Sequence, residues 1–127
     1  MAEKKKASVL VVDDSSFMLD LISTFLEGSR FQLAGTAKDG KEALKKYEEL
    51  KPGVVLLDIV MPGESGTKTL ERILNLDPQA RVIMVSSLGT EDAVVECLKK
   101  GAKTFLQKPF EPDGLISVLE NTLKEEK

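Results

Sequence analysis

Five times along the chain, a short apolar run is followed by a segment whose apolar residues recur every three or four positions. The runs are "SVLVV" (8–12), "FQLAGTA" (31–37), "VVLLD" (54–58), "RVIMVSS" (81–87) and "TFLQ" (104–107), all of strand length. The segments after them are "SSFMLDLISTFLEG", "DGKEALKKYEEL", "SGTKTLERILNL", "TEDAVVECLKKGA" and "EPDGLISVLENTLKEEK". Helical spacing predicts inward faces made of Phe17, Leu21, Ile22 and Phe25 in the first helix and Ala43, Leu44 and Tyr47 in the second. The third contributes Leu70, Ile73 and Leu74, and the fifth Leu115, Ile116, Leu119 and Leu123. Gly28, Pro52-Gly53 and Gly101 supply the stops. In the fourth helix Val94 and Val95 sit 100° apart, too wide for one narrow core stripe, which leaves two readings open: one of them lies on an outer face, or both pack at the edge of the core. Strands two to five lack inside/outside alternation, as strands covered on both faces do. The prediction is a three-layer α/β sandwich, a parallel sheet built from right-handed βαβ units with five helices. With 127 residues and no internal linker or repeat, residues 1–127 are expected to form one domain.

In open parallel sheets, ligands bind outside the carboxyl ends of the strands. Strand one ends in Asp13-Asp14, strand three in Asp58, strand four in Ser86-Ser87 and strand five in Lys108-Pro109. Each has an ordinary structural role open to it. Asp14 or Ser15 can cap the first helix, Asp58 can shape the Met-Pro-Gly turn, and the serines can be loop hydroxyls. Lys108 can be a surface lysine beside the proline that ends the strand. Taken together, these roles conflict with electrostatics. Three carboxylates gathered a few ångströms apart repel by several kcal/mol at an effective dielectric of ~20. One divalent cation and one lysine balance them, so the rim reads as a metal site.

Composition narrows the choice of metal. The chain has no histidine, which removes imidazole bases, Ser-His triads and His-ligated metals. Only oxygen ligands remain for the rim, which suits a hard cation such as Mg²⁺. A formal charge of −3 gives no sign of nucleic acid or an anionic membrane as partner. Lys4, Lys5 and Lys6 read as a solvated basic tail over residues 1–6. Cys97 is the only cysteine and reads as a small buried apolar residue in a reducing compartment. No apolar run approaches the ~20 residues of a membrane span, so a cytoplasmic protein is expected.

The blocks "VLVVDDSS", "LLDIVMPGESG", "VIMVSS" and "FLQKPF" resemble, in order and spacing, the signature blocks of response-regulator receiver domains of the CheY-like, single-domain chemotaxis type. The resemblance implies a flavodoxin-like fold with strand order 2-1-3-4-5, an order that belongs to the family and is not read from periodicity. It implies that Asp58 accepts a phosphoryl group from a phosphohistidine on a histidine kinase in a two-component phosphorelay. Asp14, Asp58 and the backbone carbonyl of Val60 would hold Mg²⁺ (or Mn²⁺) directly, and Asp13 through water. Lys108 and the Ser86 hydroxyl would contact the phosphoryl group. Ser86 and Phe105 would form the switch that alters the surface of helix four, strand five and helix five for a downstream protein. Phe105 stands where tyrosine is commoner, so its part would be packing alone. Lys108-Pro109 matches a cis peptide. Val60 and Leu88 match positions that govern water access to the phosphoryl group; both are apolar, which implies slow self-dephosphorylation unless a phosphatase assists. On this reading the protein is a monomeric signalling switch and not a turnover enzyme.

Other classes fit less well. A haloacid-dehalogenase-type phosphatase wants Asp-x-Asp after strand one, where this chain has adjacent Asp13-Asp14. No Gly-x-Gly-x-x-Gly or P-loop pattern supports nucleotide binding. A flavodoxin-like carrier needs a hydroxyl-rich phosphate loop after strand one. The remaining alternatives are a receiver module excised from a larger regulator and a pseudo-receiver that binds partners without phosphorylation. The latter normally lacks one of the acidic or lysine positions, all of which are present here.

Overall fold

Parallel strands β1 (Ser8–Val12), β2 (Gln32–Ala37), β3 (Val54–Asp58), β4 (Val82–Ser86) and β5 (Thr104–Gln107) form one sheet in the order β2-β1-β3-β4-β5. Five helices alternate with them: α1 (Ser16–Leu26), α2 (Gly40–Leu50), α3 (Gly66–Leu76), α4 (Glu91–Lys100) and α5 (Pro112–Lys124). The computed structural model describes residues 7–124, so Lys4, Lys5 and Lys6 lie outside the described residues.

Successive side chains of a strand point to opposite faces, and the core divides accordingly into two layers. Leu10, Val12, Val55, Leu57 and Met84 pack with Ala43, Tyr47, Leu70, Ile73, Val94 and Cys97, which places α2, α3 and α4 on one face. Val9, Val11, Leu56, Ile83, Val85 and Leu106 pack with Leu19, Ile22, Leu26, Leu115, Leu119 and Leu123, which places α1 and α5 on the other. The two-faced burial inferred for strands two to five holds for β3 and β4, which are buried at every position. It also holds for nearly all of β1. It fails for β2 and β5, which are the edge strands and keep exposed residues. Their weak alternation comes from a half-open edge.

The predicted inward face of α1 is also displaced. Leu19, Ile22 and Leu26 are its buried residues, whereas Phe17 is 71% exposed. Phe17 stands in the first turn of the helix, off the buried stripe. Leu21 and Phe25 border the buried stripe and are partly covered. The other helices follow the predicted spacing, with Ala43, Tyr47, Leu70, Ile73, Leu115, Leu119 and Leu123 buried. Val94 is 7% exposed and Val95 51%, so the adjacent valines do divide between core and surface.

Local signals set the helix ends. The Ser15 hydroxyl accepts from the Met18 N–H and caps α1. Asp39 and Ser65 cap α2 and α3 in the same way through Glu42 and Lys68. Gly101 closes α4 at a φ of 124°, which only glycine adopts without strain, and its N–H reaches the Cys97 and Leu98 carbonyls. At the far end of the sheet from the acidic rim, the Tyr47 hydroxyl donates to Asp77 Oδ2 at 2.8 Å, tying α2 to the end of α3. Burial and the Asp77 carboxylate push the Tyr47 phenol well above its usual range.

Candidate functional site

The carboxyl ends of β1, β3, β4 and β5 meet at one rim, and the residues read from the sequence arrive there together. One carboxylate oxygen from each of Asp13, Asp14 and Asp58 lies within 4.8 Å of the others. Asp13 and Asp58 are buried, Asp58 to 5% exposure, while Asp14 is exposed and faces solvent. Asp13 is fixed at three points. Its N–H donates to the Ala37 carbonyl at 2.9 Å, Oδ1 accepts from the Ser15 N–H at 3.0 Å, and Oδ2 accepts from Lys108 Nζ at 3.1 Å. Lys108 Nζ also stands 3.6 Å from Asp58 Oδ2, so a single ammonium faces two buried carboxylates. The Val60 N–H approaches Asp58 Oδ1 at 3.4 Å.

Removal from water and the repulsion of Asp13 push the Asp58 carboxyl up to about 6, against 3.8 for a free side chain; Lys108 and the Val60 amide offset part of that rise. The same imbalance tests the fit of a metal. Among the described residues, the ammonium of Lys108 pairs with two of the three clustered carboxylates, Asp13 and Asp58, so one cationic charge does not neutralise the cluster. Every donor is an oxygen, the set a hard divalent cation takes. The residues present fit such an ion.

Two further features hold the frame. The Lys108 N–H donates to the Ser86 carbonyl at 2.8 Å, and the Lys108–Pro109 peptide is cis. Gly66, the first residue of α3, donates its N–H to the Ile59 carbonyl at 2.7 Å. A Cβ there would overlap the Asp58 carbonyl oxygen, so α3 starts directly against the backbone of Asp58. Sequence reasoning passed over Gly66. The available signal was a glycine just after the Ser65 cap, in a first turn where a better helix former would be expected if space allowed.

Ser86 is buried and Phe105 half-exposed, and both line a cavity of about 260 Å³ with Val94, Val95 and Leu98 between α4 and β5. Val60 and Leu88 project as exposed apolar side chains from the loops after β3 and β4. No helix among the described residues is long and apolar enough to cross a membrane.

Residues 9–120 match the family model for the response regulator receiver domain, and the chain belongs to that family. Over 116 residues it is 44% identical to the chemotaxis protein CheY of Listeria monocytogenes, covering 91% of this chain and 98% of that one. Against the chemotaxis protein CheY of Thermotoga maritima the identity is 39%, covering 91% and 97%. Among solved structures, a CheX–CheY–BeF₃–Mg²⁺ complex from Borrelia burgdorferi matches with a TM-score of 0.85 and 40% identity, over 91% of this chain and 88% of that chain. The chain is thus the receiver domain of a two-component response regulator with CheY-like chemotaxis homologues.

Proposed function

We propose that residues 1–127 act as one cytoplasmic, monomeric receiver unit that takes a phosphoryl group on Asp58 from a histidine kinase. The observation that carries this reading is the Lys108 ammonium 3.1 Å from Asp13 and 3.6 Å from Asp58, within a cluster of three carboxylates. An ionised Asp58 oxygen attacks phosphorus, the new P–O bond forms, and the P–N bond to the donor imidazole breaks. The departing imidazole nitrogen takes a proton. Having no histidine of its own, the chain depends on another protein for that donor.

Asp14, Asp58 and the Val60 carbonyl would hold Mg²⁺, or Mn²⁺ in its place. Asp13, whose two oxygens already serve Ser15 and Lys108, suits a contact through water. When bound, the metal neutralises charge on the transferring group. Lys108 adds the second positive contact, and the Ser86 hydroxyl stands by a phosphoryl oxygen.

A phosphoryl group adds roughly −1.5 to −2 charges at this rim. Ser86 is drawn toward it, and Phe105 turns into the neighbouring cavity, which its ring already lines. The face of α4, β5 and α5 then shifts between two populated forms and reports to a protein target. The output is binding, not turnover of an external substrate. Chemotaxis-type signalling is supported by the CheY relatives. The Borrelia structure, which holds CheX, beryllofluoride and Mg²⁺ together with a CheY, supports both the metal and a protein partner.

Calorimetry with beryllofluoride tests the reading. Binding that needs Mg²⁺ and is lost in Asp58→Ala is the expected result. Binding unchanged by Asp58→Ala would overturn it.

A further inference from the structure

The Lys108 backbone is anchored to the sheet by its N–H on the Ser86 carbonyl at 2.8 Å. The segment leaves β5 there, and its next side-chain anchor is Phe110. That ring stands edge-on to Phe25 of α1, with centroids 6.1 Å apart and planes at 74°. Both rings are partly buried against the layer that contains Ile22, Leu26, Leu106, Leu115 and Leu119. Edge-to-face pairs of this kind have a preferred geometry beyond the area they bury. Only Pro109 separates Lys108 from Phe110, and its ring fixes φ, which removes one of the few rotations between the two residues.

α1 also begins at the acidic pair. Ser15, its cap, binds Asp13 Oδ1, and Lys108 binds Asp13 Oδ2. One helix therefore sets both sides of the Lys108–Asp13 contact: its cap holds the carboxylate, and Phe25, nearly three turns further on, holds the segment that carries the ammonium. We propose that Phe110, braced by Phe25, is a positioning residue that aims Lys108 at the phosphoryl group transferred to Asp58. The role assigned to Phe110 is exerted through Lys108 and not by contact with the phosphoryl group. The inference rests on the phosphotransfer reading above.

The test is the rate of phosphorylation by acetyl phosphate with Mg²⁺, in which an Asp58 oxygen–phosphorus bond forms and acetate leaves. Phe110→Ala is expected to lower the maximal rate about tenfold, the scale of a misplaced catalytic contact. Phe110→Tyr, which keeps the ring, stays within about twofold of the parent. The deciding measurement is the same pair of substitutions made in Lys108→Ala. If Phe110 acts through Lys108, Phe110→Ala causes no further loss there. An equal loss in both backgrounds would overturn the proposal and leave Phe110 a packing residue only. Should Phe110→Ala fail to fold, Phe25→Leu is measured in the same two backgrounds, with the same two outcomes. A parent chain that takes no phosphoryl group overturns the phosphotransfer reading and this inference together. A parent that is labelled while Phe110→Ala is additive with Lys108→Ala overturns the inference alone.

Discussion

Lys108 Nζ and Asp13 Oδ2 lie 3.1 Å apart across 95 residues of sequence, joining the exit of β5 to the exit of β1. The contact is buried on the Asp13 side, so it is not the screened surface pair that contributes little. Removing the ammonium leaves two buried carboxylates with no cation between them. Lys108→Ala is therefore expected to slow phosphorylation by a hundredfold or so while Mg²⁺ affinity, measured by calorimetry, holds or rises as the competing cation is lost. A large fall in Mg²⁺ affinity would count against the division of labour between lysine and metal.

The raised Asp58 carboxyl makes the metal-free fold sensitive to pH. Between about 4 and 6 the folded protein holds a proton on Asp58 that the unfolded chain, at 3.8, has released. The contribution of this group to stability is thus largest below that window and falls as pH rises through about 6. The rise from 3.8 to about 6 corresponds to at most about 3 kcal/mol. Asp58→Asn should accordingly stabilise the metal-free protein at pH 7.5 and flatten the slope between pH 5 and 7.5. Urea melts with a chelator present measure both effects, and a less stable Asp58→Asn at neutral pH would contradict the account.

Gly66→Ala puts a methyl group against the Asp58 carbonyl oxygen. Overpacking of this kind costs about 1–3 kcal/mol, and here the backbone that must yield carries Asp58 itself. Thermal melting should show the loss, and phosphorylation at a temperature where the variant remains folded should still be slower than in the parent. Normal phosphorylation would show that the close approach is structural only.

Val60 and Leu88 offer no polar atom from their side chains to orient water at the phosphoryl group. The purified phosphoprotein is expected to hold its phosphoryl group for minutes or longer, and Val60→Asn to shorten that lifetime about tenfold by supplying an amide that positions water. Decay within seconds in the parent would contradict this reading.

Adjacent valines on α4 should respond in opposite ways. Val94→Lys buries an ammonium among Cys97, Ile73 and Met84 and should cost several kcal/mol. Val95→Lys lies on the exposed side and should stay within about 0.5 kcal/mol of the parent in denaturant melts. Equal losses at both positions would place Val95 in the core as well.

Most of this architecture was legible because four of the five strands end in a residue whose chemistry differs from the run before it. Asp13, Asp58, Ser86 and Lys108 stand at such ends, and alternation of strands and helices forces those ends to one side of the sheet. Strand order came from the family resemblance, since periodicity says where a strand is and not what lies beside it. That is also why β2 and β5 were read as covered on both faces although they are the edges. The face of α1 was misplaced because Phe17 has the hydrophobicity of a core residue, and only the folded arrangement shows that the buried stripe runs through Leu19, Ile22 and Leu26 and leaves Phe17 exposed. Phe110 was quoted in "FLQKPF" without a role, because a contact with Phe25 cannot be seen until α1 and the β5–α5 connection are brought together.

The most direct test is the location of the phosphoryl group. The chain is incubated with acetyl phosphate and Mg²⁺, digested, and mapped by mass spectrometry. The account predicts a single modified peptide, the one containing Asp58, and no modification when Mg²⁺ is chelated. A phosphoryl group on any other residue, or one that appears equally without the metal, would contradict it.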